Sequence, residues 1–347
     1  MQSRGNKGRG AQINLPNPFN KHYIDQDLSD DKIPAPLTQF FMETPKSIVS
    51  KSDSPDLGVM HSINPYQGCE HGCSYCYARN SHHYWGFSSG VDFESKIIVK
   101  PTAPQMLKTY LSAYQGKVTP IVLSGNTDCY QPAERKFELT RKLLHVFNQF
   151  RYPVSLITKN SLILRDLDIL SKLSQKHLVH VYVSITTLNE SIRRKMEPRT
   201  ATPIKRMQVI EKLSSNGIPV GIMNAPIIPG LTDHETPEIL KQTSDKGSLS
   251  AGFTVVRLNG NLGRLFEDWL LKTFPERASK ILHQIADCHQ GNLNDSRWYQ
   301  RQKGTGHIAE MIQQMFHTAY GRYYKGRNMP PHNRTLFRRG GNLRLDF

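Results

Sequence analysis

The chain is sparing with cysteine. Five in 347 residues is an odd count, so no even disulfide framework is implied. Acidic residues are also scarce, 29 against 45 lysines and arginines, which leaves a formal charge of +16. No window approaches the ~18 uninterrupted apolar residues of a membrane helix. No charged, apolar and small-residue signal opens the chain, which begins MQSRGNKGRG. These absences argue against a secreted disulfide scaffold and a membrane protein. The composition reads as a soluble protein of a reducing cytoplasm.

What cysteine there is lies together. The stretch INPYQGCEHGCSYCYARN, residues 63 to 80, holds Cys69, Cys73 and Cys76. Soft thiolates select zinc or iron–sulfur clusters. A structural zinc site is closed by four ligands, and no second cysteine pair follows, since Cys129 and Cys288 are isolated. His71, His82 or His83 would have to be the fourth. Three unrelated buried cysteines suit a run of Glu, His, Gly, Ser and Arg poorly. The remaining reading is a [4Fe–4S] cubane on three thiolates, with one iron left open to bind something that reacts.

The rest of the chain alternates. TPIVLSGN, YPVSLITKN, LVHVYVSITT, GIPVGIMNAP and SAGFTVVRLNG are short runs rich in β-branched residues, as strands buried on both faces should be. Helical patterns lie between them. One carries Leu139, Leu143, Phe147 and Phe150. Another carries Ile204, Met207, Ile210 and Leu213 after Thr202 as cap, with Pro203 at its first position and Gly217 beyond its end. With HSINPYQG as first strand there are six strand–helix units. The expected fold is α/β, a parallel sheet open or curled into a partial (β/α)6 TIM-type barrel. Residues 1–57 read as a partly disordered leader, 58–260 as the core and 261–347 as a helical, basic extension. The face Ile308, Met311, Ile312, Met315 and Phe316 reads as core.

From Arg297 to Phe347 ten basic residues meet two acids, a net +8 and half of the total excess. Trp298, Tyr299, Tyr320, Tyr323, Tyr324 and Phe337 lie among them. Basic side chains beside stacking rings suit DNA or RNA. The plainer alternative is a solvated tail whose rings pack on the core. KGTGH, ending at His307, is a glycine-rich helix entry able to receive a phosphate.

CEHGCSYC, with Tyr75 before the last cysteine, resembles the signature of the radical S-adenosylmethionine enzymes. KSIVSKSDSPDLG, NTDCYQPAE, ITKNSLILRDLDIL, MEPRTATP and APIIPGLTD extend the resemblance to the DNA-repair-photolyase-like members, relatives of spore photoproduct lyase, from about residue 40 onward. The resemblance implies a radical-SAM kind of barrel, a [4Fe–4S] cluster on Cys69, Cys73 and Cys76, and S-adenosylmethionine chelating the open iron. One electron then cleaves the sulfonium to a 5′-deoxyadenosyl radical that abstracts a substrate hydrogen. It implies a reducing partner such as flavodoxin or ferredoxin.

Carried over by position, Tyr75 falls near the adenine. Gly125, Asn126, Thr127 and Asp128 of SGNTD stand where the methionyl ammonium is received. Lys159 and Ser184 fall near its carboxylate, and Asn224 near ribose or adenine. Lys159 as a solvated lysine and Ser184 as a packed strand serine are the plain alternatives. Arg199 is a candidate for substrate phosphate or cofactor carboxylate, with Glu197 as its pair. The place of the lyases' hydrogen-donating cysteine aligns with Gly125; Cys129, with Arg199 a catalytic candidate, lies on the other side of Asp128, so thymine-dimer reversal is not implied. A non-catalytic iron–sulfur or zinc protein that binds nucleic acid is the rival reading, and a radical enzyme acting on a peptide or small metabolite is a third.

Overall fold

The computed structural model describes residues 8–19, 37–56 and 60–341. In chain order the strands are β1 Gln39–Met42, β2 Val49–Ser52, β3 Met60–Ile63, β4 Tyr66–Gln67, β5 Lys96–Val99, β6 Ile121–Leu123, β7 Val154–Thr158, β8 Val179–Ser184, β9 Val220–Ile227 and β10 Ser250–Val255. Seven form one sheet in the order β10-β9-β8-β7-β6-β3-β2. Its six core strands run parallel, and β2 pairs antiparallel with β3. β10 and β2 are free edges among the described residues, so the curl is an open one. The expected six-unit parallel α/β fold is the observed one, without a closed barrel.

The pattern follows from burial. Val154, Leu156, Val179, Val181, Val183, Val220 and Ile222 are essentially inaccessible, as strands covered by helices require. The helix Leu139–Phe150 buries Leu139, Leu143, Leu144, Phe147 and Phe150 against them. At roughly 1.5–3 kcal/mol for each large apolar side chain, that face alone anchors the layer. The helix Pro203–Ser215 starts as read: Thr202 Oγ1 accepts the Lys205 amide, and Gly217 takes φ +70° just past the end.

Some readings do not survive. Ile204 is 73 % exposed: it sits in the first turn, rotated away from the face of Met207, Ile210 and Leu213. Met311 is half exposed, because the helix His307–Tyr323 turns Ala309, Ile312, Phe316 and Ala319 inward instead. The disorder expected of residues 1–57 falls in part on 1–7, 20–36 and 57, outside the described residues. The described parts are built into the fold. β1 pairs with β5, β2 with β3, and Ala11 and Leu15 are buried.

The basic tail divides between the two ends of the sheet. Asn333 N donates to His177 O and Arg338 N to Phe150 O, while His332 stacks on His180 at 3.6 Å and Phe337 packs on Tyr152. These partners lie at the N-terminal ends of β7 and β8. Tyr324 is buried, and Tyr320, Tyr323 and Phe337 pack on the core. For them the plainer alternative is the observed one. Residues 297–303 lie at the other end, where Gln302 O accepts from Val255 N at the close of β10.

Candidate active site

The cysteine loop leaves β4 and ends in the 3-10 helix Tyr77–Trp85, at the C-terminal end of the sheet where α/β folds place their sites. Cys69 N donates to Phe93 O, Cys76 N to Cys73 O, and Ser74 N to Met196 O. Behind the loop sits Arg79, fully buried. It donates twice to Cys73 O, to Ser89 O and Gly90 O, and at 2.5 Å to Glu94. The other side is closed by residues 8–17. Gly10 N and Ala11 N donate to the Glu94 carboxylate, and a Cβ on Gly10 would stand 1.7 Å from Gly72 O. Only glycine fits there. The sequence showed this segment only as polar and Gly/Asn-rich.

All three thiols are free, Cys69 and Cys73 buried and Cys76 partly so. Burial raises each above its ordinary range. For Cys69 the charges of Asp128 and of the other two thiols add to that, and for Cys73 that of Glu197, with Lys159 opposing. Such thiols ionise only with a strong positive charge among them, which an iron cluster supplies. Among the described residues no three His, Cys, Asp or Glu side chains gather closely enough to hold a single metal ion.

Of the histidines proposed as a fourth zinc ligand, His71 and His83 have other polar partners, and His82 is packed between rings. His71 lies between Asp128, at 3.3 Å, and Asn160, at 3.0 Å. His82 is wedged between Phe87 and Phe93, where burial brings it down to about 4. His83 faces Asn261.

Tyr75 points inward. Its hydroxyl donates to Glu197 and lies 3.2 Å from Thr186 Oγ1. Glu197 pairs with Arg206, not with Arg199 as expected, because the helix Pro203–Ser215 turns Arg206 into the core. Burial works against that carboxyl, but Arg206 and then Lys159 hold it down to about 2. Lys159 Nζ stands 5.9 Å from the Tyr75 ring centroid and makes no ion pair among the described residues. It is the loose cation of the site.

SGNTD follows β6. Tyr77 OH donates to Gly125 O, Thr127 Oγ1 to Tyr66 O, and Asn126 N to Asn64. Asn126 Oδ1 keeps no protein partner among the described residues. Asp128 is fully occupied: it accepts from Thr158 Oγ1, Lys159 N and Tyr130 N and faces His71. Burial opposes its charge, but His71 foremost keeps its pKa low. It is therefore a scaffold of the loop rather than a free acceptor. The Ser184 hydroxyl has no hydrogen-bond partner among the described residues.

Of three further candidates, two lie in the interior and the third lies against the outside of the cysteine loop. Asn224 is fully buried, its amide donating to Ile185 O and accepting from Thr236, so it ties β8 to β9 and the following helix. Cys129 is fully buried in the apolar core beside Tyr130 and Leu143. Arg199 sits at the rim, donating to Gly8 O and 3.8 Å from Glu70. The KGTGH entry already holds an anion, since Ile308 N donates to Asp287, and so offers no phosphate site.

A parallel α/β sheet thus carries three free thiols together at its C-terminal end. Residues 63–243 match the radical SAM superfamily, and the chain belongs to it. It is 30 % identical to an uncharacterized protein of Mycobacterium tuberculosis H37Rv, over 68 % of this chain and 70 % of that one. A second uncharacterized protein, from Methanocaldococcus jannaschii, is 30 % identical over 66 % of this chain and 82 % of its own. Spore photoproduct lyase complexed with dinucleoside spore photoproduct superposes with a TM-score of 0.59 at 14 % identity, covering 83 % of this chain and 80 % of that one, a likeness of fold. The chain is a radical SAM enzyme, and the family implies S-adenosylmethionine and a [4Fe–4S] cluster. Among the described residues no helix is long and apolar enough to cross a membrane.

Proposed function

We propose that Cys69, Cys73 and Cys76 hold a [4Fe–4S] cluster with one iron free for S-adenosylmethionine, and that the enzyme acts on nucleic acid. The carrying observation is three free thiols, two buried and one partly so, at the C-terminal end of the sheet, with the Lys159 ammonium, unpaired among the described residues, over the Tyr75 ring of the same loop. A cluster held there would supply the single electron for reductive cleavage of S-adenosylmethionine, the chemistry that starts hydrogen abstraction in this family.

The chain's own residues bind and orient. Lys159 takes the methionyl carboxylate, an ammonium being suited to that charge. Asn126 Oδ1 accepts from the methionyl ammonium, and the Ser184 hydroxyl is free to reach the same end. Gly125 is held by Tyr77 and would press on Ser62 if it carried a Cβ. The Tyr75–Glu197–Arg206 network fixes the loop from behind, and residues 8–17 exclude water from its far side. Residues 58–260 form the catalytic unit, and a flavodoxin- or ferredoxin-like donor fits its need for a single electron.

The nucleic-acid reading rests on the +16 charge and on exposed Trp298 and Tyr299 at the site's end of the sheet. Anaerobic reconstitution and reduction with S-adenosylmethionine should yield 5′-deoxyadenosine. A fully loaded, reducible cluster that never does so rejects the proposal. With candidate DNA and RNA carrying deuterium, label should enter the 5′-deoxyadenosine.

A further inference from the structure

Arg257 lies two residues past β10, at the same end of the sheet as the cysteine loop. It is half-buried and makes no hydrogen bond or ion pair with any described residue. Burial, and next to it the charge of Arg301, both work against its cation, and Tyr77 and Asp56 offset them only from a distance. An arginine held this way has no counter-charge in contact with it among the described residues. An arriving anion would supply one, and the fork of the guanidinium suits two oxygens of a phosphate.

The surroundings fit a nucleotide more than a lone anion. Tyr77, the residue after Cys76, is half exposed and lies within electrostatic reach of Arg257, which links the patch to the cysteine loop. On the outer side the Arg301 guanidinium stacks over Trp298 at 4.0 Å, and Trp298 remains 48 % exposed. Arg301 is pinned by Asp56 and Ser54, and Asp56 also accepts from Tyr299 N at 2.5 Å. One face of the indole is thus covered by Arg301, itself pinned by two partners, and the charge of Arg301 in turn reaches Arg257. A fixed ring of this kind loses little freedom when a base stacks on it.

We propose that Arg257 and Trp298 form a nucleotide subsite at the mouth of the active site, Arg257 taking a backbone phosphate and Trp298 stacking the neighbouring unpaired base of a nucleic-acid strand. The subsite rests on the reading that the substrate is nucleic acid, and it places the strand against the open end of the cysteine loop.

The test is fluorescence anisotropy with short single-stranded DNA and RNA, on the reconstituted full-length protein across a salt series. Arg257→Gln should weaken binding about tenfold and lower the salt slope by about one phosphate contact. Trp298→Ala should weaken it about fivefold or more with the slope unchanged. Arg257→Lys should recover much of the loss, and Lys212→Gln, on the exposed face of the helix Pro203–Ser215, should bind as the unaltered protein does. Thermal melting and iron content show that each variant is folded and loaded. Salt-dependent binding that survives both Arg257→Gln and Trp298→Ala overturns the subsite and leaves the nucleic-acid reading standing. Failure of the unaltered protein to bind either strand overturns both.

Discussion

Arg79 and Glu94 meet at 2.5 Å with both side chains fully buried, and between them they hold the cysteine loop and the N-terminal strap together. Removing one partner of such a pair leaves a buried charge uncompensated, which typically costs about 3–5 kcal/mol. Glu94→Ala should therefore lower stability by that order in urea titration. It should also reduce iron loading, because Cys73 O and Gly10 lose their common anchor. Full loading with an unchanged midpoint would show that the pair is dispensable.

Exchange of Cys73 for alanine should abolish the cluster's visible absorbance and its iron content while far-ultraviolet circular dichroism stays unchanged. The fold does not depend on that side chain: the loop's hydrogen bonds to Phe93 and Met196 are made by backbone. Turnover retained in this variant contradicts the ligand assignment.

Lys159→Met keeps the length of the side chain and removes its charge. A hydrogen bond to a charged group is worth roughly 1.5–3 kcal/mol, so the Kd for S-adenosylmethionine should rise about tenfold or more in equilibrium dialysis. Wild-type affinity would return Lys159 to the role of a lysine that merely tempers the charge of Glu197.

Cys129→Ala should leave product formation near normal and cost about 1–2 kcal/mol of stability, the usual effect of a small core cavity. Loss of product with undiminished 5′-deoxyadenosine formation would instead give this thiol a place in the hydrogen transfer.

The stacked pair His180–His332 predicts an acid limb in stability. Burial, and then His180, brings His332 down to about 3, against about 6.5 in the unfolded chain. Across that interval the unfolded chain binds the extra proton, so the contribution is complete above pH 6.5 and is lost as pH falls toward 3. Between pH 7 and 5 the loss should be about 1–2 kcal/mol. His332→Gln should flatten that limb in urea titrations at each pH; an equally steep decline in the variant removes His332 as the cause.

Much of the fold could be read in advance because its signals are local. Runs of β-branched residues bounded by Gly, Asn or Pro are strands whatever lies around them, and Thr202–Pro203 marks a helix start by itself. The cysteine spacing was legible for the same reason. The supports were not. That Glu197 answers to Arg206 and not to its neighbour Arg199 depends on which way a helix turns. That Glu94 binds the amides of Gly10 and Ala11 is a contact across 84 residues, and no periodicity records it. Asn224 looked available at a strand end, but Thr236 and Ile185, supplied by other elements, had already claimed it. The tail misled because composition counts charges without placing them, and four of its six rings pack on the core.

The strap beside Gly72 also sets an order of manufacture. Residues 8–17 are synthesised first, yet the carboxylate that fastens them is residue 94, so in a growing chain the three sulfurs are translated before their cover can be latched. Until residue 94 emerges, the loop that carries them therefore lacks the partner that fastens the strap to its far side.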